Sequence, residues 1–257
     1  MYAAPVPATI QGIVKDARRV SIVIPAWNEA ATIGGVIREV LLVLDPVMSG
    51  AFAVVVVVVV VDNGSTDDTA ARAREAGAVV VSENRRGYGQ ACLTGIAASA
   101  GSDFVMFMDG DGSDDPAGIP SLLRPLQDDL ADLVIGSRER GVSEPGAHPW
   151  HAVYGTRLCV TLMNVLIGTK ATDLGPFRAI SYAALQRLDM KDTTFGWTTE
   201  MQIKAHRARL RTAEVPVNYR CRRGGHSKIS GSWPQSARAG IRILSLIAKM
   251  ASAPSLP

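Results

Sequence analysis

Apolar residues along the chain fall into short β-branched blocks separated by longer stretches in which they recur every three or four positions. Val20 to Ile24 is stopped by Pro25 and followed by Ala26-Trp27-Asn28-Glu29; Ile33, Val36, Ile37, Val40, Leu41 and Leu44 then trace one face of a helix. Eight consecutive valines, Val54 to Val61, end in Asp62-Asn63-Gly64-Ser65-Thr66-Asp67. With no polar alternation they predict a strand buried on both faces, as at the centre of a parallel sheet. Ser65, Thr66 or Asp67 supplies a cap for the helix that follows, and Ala78 to Ser82 a short strand. Further strands are expected at Phe104 to Met108, Asp132 to Arg138, within Thr172 to Ile180, and at Glu214 to Arg220, where Pro216 marks an edge. Helices are expected after Gly89 through Ala100, at Leu122 to Leu130, His151 to Ile167, Thr198 to Ala208 and Ser236 to Met250. This alternation predicts an α/β fold with a mostly parallel central sheet flanked by helices. Residues 1–18 read as a loose Ala- and Pro-rich tail, 19–233 as one domain, and 234–257 as an amphipathic helix with a tail.

The composition is that of a globular protein, 47% hydrophobic over 257 residues. A net charge of +3 is too small to imply a nucleic-acid partner, but carboxylates crowd residues 103–132 while Arg and Lys crowd 204–249. Cys92, Cys159 and Cys221 are odd in number, with no CxxC pair, so neither a disulfide framework nor a zinc site is expected. The N-terminus lacks a signal pattern, and the longest apolar run, the eleven residues from Ala51 to Val61, is short of the ~20 a membrane span needs. A cytoplasmic protein is the simplest expectation, and no feature sets an oligomeric state.

Polar clusters sit at the ends of four expected strands: Pro25 to Glu29, Asp62 to Ser65, Asn84-Arg85-Arg86, and Asp109-Gly110-Asp111. In an open α/β sheet those carboxyl ends frame the ligand crevice. Beyond a strand end, Asp109 and Asp111 leave on the same side and converge on one hard cation, Mg²⁺ or Mn²⁺, whose shell is completed by water and phosphate oxygens. A calcium loop fails on spacing, since Asp114 and Pro120 stand where its glycine and bidentate glutamate belong. Gly87 and Gly89 invite a dinucleotide fingerprint, but Cys92 occupies the position of the third glycine.

From about Val20 to Trp233 these motifs, IPAWNE, VDNGSTDDT, MDGDGSDDP, GSR at 136–138, TDLGPFRAI, FGWTTEMQIKA and RRGGHSKISG, resemble family 2 glycosyltransferases of GT-A fold, and especially the polyprenyl-phosphate (dolichol-phosphate mannosyltransferase-like) branch. The resemblance implies that Pro25, Asn28, Glu29 and Asp62 bind the nucleotide sugar, and that Asp109 and Asp111 hold the metal and the sugar diphosphate. Arg138, Arg222, Ser227 and Lys228 then meet phosphates, and Glu200 arranges the acceptor. Asp111, Arg138 and Glu200 are the catalytic candidates. Mannosyltransferases of this branch typically carry glutamine where this chain has Ser113, a departure at the third metal contact.

The implied reaction is inverting, metal-dependent transfer from a nucleotide sugar of the GDP-mannose or UDP-glucose type to a polyprenyl phosphate at the cytoplasmic face of a membrane. The segment Ser236 to Met250, with Arg238, Arg242 and Lys249 beside an apolar face, would lie on that membrane, and the helix of residues 151–167 would add a second contact. The alternatives are transfer to a hydroxyl of a soluble glycan or small molecule, for which Asp114, Asp115 and Glu200 are candidate bases, and a non-catalytic nucleotide-sugar-binding protein. An intact pair of DxD carboxylates argues against the last.

Overall fold

A computed structural model describes residues 18–48, 54–147, 149–224 and 233–252. Ser227, Lys228 and nearly all of the expected N-terminal tail lie outside the described residues. Seven strands, β1 (Arg18–Ala26), β2 (Val54–Asp62), β3 (Val79–Ser82), β4 (Phe104–Phe107), β5 (Leu133–Ser137), β6 (Arg178–Ser181) and β7 (Thr212–Pro216), form one sheet in the order β3-β2-β1-β4-β6-β5-β7. All neighbours are parallel except β6, which runs antiparallel to β4 and β5.

The helices are α1 (Ile33–Met48), α2 (Thr69–Glu75), α3 (Tyr88–Ala98), α4 (Ile119–Gln127), α5 (Trp150–Ile167), α6 (Tyr182–Leu188), α7 (Trp197–Arg207) and α8 (Trp233–Ser252). Period-two alternation in the strands divides the core between the two faces of the sheet. Ile22, Ile24, Val58, Val60 and Met106 join Ile33, Val36, Ile37 and Val40 of α1 on one side. Val23, Val59, Val61, Val105 and Phe107 pack with Leu185, Trp197 and Met201 of α6 and α7 on the other. A smaller cluster, Cys159, Val160, Met163, Leu174, Ile203 and Ile247, ties α5 and α8 to α7.

Register sets the site: Ala26 pairs with Asp62 and Asp62 with Ser82, so β1, β2 and β3 end in line, with β4 ending beside them. The expected parallel sheet is present, and Pro216 does end an edge strand. Several local expectations are corrected. The valine run is not buried throughout: Val54 and Val58 to Val61 are buried, but Val57 between them is 40% exposed. The last strand stops at Pro216, because Tyr219 to Gly224 leaves the sheet to run along the loop after β4. Strand structure within 172–180 is confined to the end, at β6, and α6 follows directly, with Ser181 Oγ accepting from the Ala184 N–H. In α8, the helix expected to lie on a membrane, Ile247, Leu244 and Ile243 pack on the cluster beneath α5, while Ile241 is 67% exposed. Among the described residues no helix is long and apolar enough to cross a membrane.

Candidate active site

The strand ends open into a cavity of about 790 Å³. Pro25, Trp27 and Glu29 from the end of β1, Arg86 and Tyr88 from the β3–α3 turn, Asp109 and Asp111 after β4, and Arg138 after β5 all reach it, and Arg222 closes one side. Its far wall is built from α5 (Ala152, Gly155, Thr156) and α8 (Ala239, Gly240, Ile243). Six of the residues singled out from the sequence are thus brought together: Pro25, Glu29, Asp109, Asp111, Arg138 and Arg222.

Asp111 is buried, and both of its oxygens are engaged. Oδ1 accepts from the Ser113 N–H (2.8 Å) and hydroxyl (2.6 Å), while Oδ2 is 2.7 Å from Nη2 of Arg222. Ser113 therefore supports Asp111 instead of presenting a long polar side chain of its own. The same Arg222 reaches Glu29 Oε1 at 3.1 Å, and Thr32 donates to the Gly110 carbonyl, fastening the start of α1 to the DxD loop. Burial, with Asp111 and Asp114 as like-charged neighbours, pushes the Asp109 carboxyl well above the usual range, while burial pushes Asp114 up to about 7. Carboxylates crowded this way are short of positive charge, and two hard oxygen donors on one loop suit a divalent cation that takes its other ligands from water and phosphate. Among the described residues no group of three or more His, Cys, Asp or Glu side chains forms a complete cage. Two such donors leave the rest of a divalent cation's shell to water and phosphate oxygens.

Arg138 takes a different position from a free phosphate donor. Its Nε and Nη2 fork onto Asp173 at 2.7 Å each, and its backbone N–H donates to the same carboxylate. Burial alone would raise the Asp173 carboxyl, but Arg138 outweighs it and holds it below the usual range. The guanidinium then lies 5.1 Å from the centre of the Tyr219 ring, at the cavity wall.

Asn28 and Asp62 are not among the described residues that line the cavity. Asn28, at φ 53°, joins two loops: its N–H donates to Ser65 Oγ and its Oδ1 accepts from the Thr66 N–H. Asp62 Oδ1 accepts from the Ser65 N–H. Both residues brace the β1–β2 end of the cavity from behind, and the surface there is supplied by Trp27 with the Arg86 guanidinium 4.2 Å from its ring centre.

The β3–α3 turn that carries Arg86 is locked by Asn63, which donates to the Glu83 and Arg85 carbonyls and accepts from the Gly87 N–H. Glu83 accepts from Arg85, Thr94 and Gln90, and Arg85 holds its carboxyl far below the usual range. A depressed folded-state value means that its stabilisation is full above the ordinary 4.5 and is lost as pH falls toward the depressed value. Glu83→Gln is therefore expected to weaken the fold at neutral pH and flatten the acid limb of its stability profile, read from denaturation midpoints between pH 7 and 3; parallel profiles would contradict this role.

Glu200 sits apart from the cavity. Its carboxylate accepts from the N–H groups of Lys191 and Asp192, and pairs with Lys204 Nζ at 2.8 Å. The loop it holds packs on the glycines of the β3–α3 turn: a Cβ at Gly89 would fall 2.1 Å from the Asp192 carbonyl oxygen. Gly89 and Gln90 in turn donate to the Thr194 and Thr193 carbonyls. Gly87 and Gly89 are thus required by close backbone approach, not by a dinucleotide. Glu200→Ala strands buried N–H donors, so it is expected to lower stability by about 2–4 kcal/mol, measured by urea denaturation; a variant of unchanged stability that lost only turnover would restore Glu200 to a chemical role.

The glycosyl transferase family 2 model matches residues 21–189, which contain every strand-end loop described above except the Arg222 segment. The chain belongs to this family. An uncharacterized glycosyltransferase of Mycobacterium tuberculosis is 38% identical over 161 residues, 62% of this chain and 72% of that protein. A low-salt glycan biosynthesis hexosyltransferase of Haloferax volcanii is 31% identical over 154 residues, 59% of this chain and 37% of that one. Among solved structures, glucosyl-3-phosphoglycerate synthase from Mycobacterium tuberculosis, in complex with Mn²⁺, uridine-diphosphate-glucose and phosphoglyceric acid, superposes with a TM-score of 0.71 at 25% identity. That match covers 92% of this chain and 81% of the synthase. The family 2 glycosyltransferase described here therefore has the GT-A architecture, with a curled, mostly parallel seven-stranded sheet between helices.

Sequence reasoning names Trp27, Asn63 and Arg86 only as members of the strand-end clusters and Asp173 only within a motif, and gives none of them a role of its own. Trp27 and Asn63 stood in plain view at strand ends, and an exposed aromatic directly after such an end was the available signal. Asp173 carried none, because its meaning comes from Arg138, 35 residues away in the chain.

Proposed function

We propose that this glycosyltransferase moves a hexosyl group from a nucleoside-diphosphate sugar to a hydroxyl of a small soluble acceptor, in the cytoplasm. The observation that carries the reading is the single cavity at the strand ends, lined by both DxD carboxylates, Arg222 and the Trp27–Arg86 pair. Its volume suits a ligand of nucleotide-sugar size. Trp27 offers a face for the base, and Asp109 and Asp111 would hold a divalent cation, Mg²⁺ or Mn²⁺, against the diphosphate. When bound, that cation neutralises charge building on the leaving group. The solved synthase is similar in fold and, by its description, binds Mn²⁺, a uridine-diphosphate sugar and a small acid, which supports a soluble acceptor over a lipid.

In the inverting displacement proposed, the acceptor oxygen forms a bond to the anomeric carbon as the bond to the diphosphate oxygen breaks. The bonding pair leaves with the diphosphate, and the hydroxyl proton passes to a base. Of the three carboxylates considered for that task, Asp115 is committed to Arg220 and the Ala117 N–H, and Glu200 to the 191–192 loop. Asp114 remains, buried behind the DxD pair and outside the cavity lining, its Oδ2 accepting from the Asp109 N–H, so the proton would reach it through a bridging water and not by direct contact.

One observation favours the polyprenyl-phosphate reading at a membrane face. Trp150, Tyr154, Leu158 and Val165 project from one side of α5 at helical spacing and are 64%, 65%, 53% and 74% exposed. Exposed Trp and Tyr beside aliphatic side chains suit a bilayer interface. The test is a screen of UDP-glucose and GDP-mannose with Mn²⁺ or Mg²⁺, offering 3-phosphoglycerate, simple glycosides and a short-chain polyprenyl phosphate, with products read by mass. Glycosylated soluble product is expected; product on the polyprenyl phosphate alone would move the assignment to the membrane.

A further inference from the structure

The segment after β7 forms a strap along the DxD loop. The Arg220 N–H donates to the Ser113 carbonyl at 2.8 Å and the Arg223 N–H to the Asp111 carbonyl at 3.2 Å. Its outer arginines are tied down: Arg220 pairs with Asp115 (2.6 Å) and Glu39 (3.0 Å), and Arg223 pairs with Glu39. Arg222, between them, instead reaches the cavity, where it bridges Glu29 and Asp111. With Oδ1 of Asp111 taken by Ser113, the oxygen left for a metal is Oδ2, and that is the oxygen Arg222 holds.

We propose that Arg222 is the resident counter-ion of Asp111 and exchanges places with the divalent cation. As the cation takes Oδ2, the guanidinium passes from Asp111 to a phosphate of the incoming nucleotide. The arrangement rests on the metal-dependent reading above and adds a rule of order: a bare cation must displace Arg222 and leave it Glu29 alone, whereas a cation arriving with a diphosphate gives the guanidinium a second anionic partner in place of Asp111. Metal and nucleotide each raise the affinity of the other, and by linkage the two enhancements are equal. Glu29, the second partner of Arg222, keeps it tethered near the cavity through the exchange.

The test is Mn²⁺ binding, followed by electron paramagnetic resonance of the free ion, to the full chain and to Arg222→Gln, with and without UDP or GDP. Arg222→Gln is expected to bind Mn²⁺ alone roughly tenfold more tightly than the wild type, the size set by one charge-assisted contact. Its nucleotide-induced gain in Mn²⁺ affinity should shrink relative to that of the wild type. Arg222→Lys, which keeps the charge, should stay close to the wild type. Arg222→Met, of similar length, gives the same comparison if the Gln variant folds poorly. Wild type that binds Mn²⁺ with nucleotide, beside an Arg222→Gln that binds the bare ion no better, overturns the exchange alone. Wild type that binds no Mn²⁺ even with UDP and GDP overturns the exchange together with the metal-dependent reading.

Discussion

Asp111→Asn is expected to lower the turnover of sugar transfer by roughly 10²–10³-fold, the scale on which loss of transition-state charge stabilisation is felt. The side chain keeps an oxygen to accept from Ser113, but it loses the anionic oxygen that Arg222 now holds and the cation would take. The fold should stand, because the change also removes a like charge beside Asp109 and leaves Arg222 its contact with Glu29. Turnover with saturating Mn²⁺, set beside a thermal melt, checks both halves. Near-normal turnover would remove Asp111 from the cation site; a collapsed melt would make it a structural residue.

A second large effect is expected at a residue that never enters the cavity. Asp173 is buried and carries four donors: Nε, Nη2 and the backbone N–H of Arg138, and the Leu174 N–H. Asp173→Ala leaves the Arg138 guanidinium, whose side chain is only 15% exposed, without its carboxylate, a loss worth ~3–5 kcal/mol. That is a large share of the ~5–15 kcal/mol that holds a domain folded. The Arg138→Met, Asp173→Leu double variant, which removes both charges, should recover part of the loss. Urea denaturation of the two variants makes the comparison; a single variant no less stable than the double would show the pair to be a surface-like bridge.

The lesson of sequence against structure lies in which interactions are local. Val20 to Ile24, the valine run and Phe104 to Phe107 announce strands because β-branched and aromatic residues are concentrated there, and the polar residues after them mark the mouth of the site. Asp109, Asp111, Pro25 and Glu29 were legible for that reason, their positions following from being just beyond a strand end. The insertion of β6 antiparallel between β4 and β5 was not legible, since nothing in Arg178–Ser181 states its neighbours.

Glu200 and Asp62 show the limit from the other side. Each is an acid within a strong motif, yet the Glu200 carboxylate holds the 191–192 loop and Asp62 Oδ1 the Ser65 N–H. A motif names residues that matter without separating those that touch a ligand from those that hold the ones that do. Arg178 carries the same point further. It is wholly buried beneath the site, its guanidinium donating to the Thr198 and Gly175 carbonyls, and burial draws its pKa down to about 10. No periodicity or spacing marks a cation for that place.

The central claim is that the cavity at the strand ends works on a nucleoside-diphosphate sugar through a cation held by Asp109 and Asp111. Its most direct measurement is the release of nucleoside diphosphate from UDP-glucose and GDP-mannose by the full chain in the presence of the acceptors screened above, with Mn²⁺ present and then removed by a chelator. The account predicts release from at least one donor, its loss on chelation, its return when Mn²⁺ is restored, and none from an Asp109→Asn, Asp111→Asn double variant. Release that continues undiminished in the chelator, or in the double variant, would contradict it.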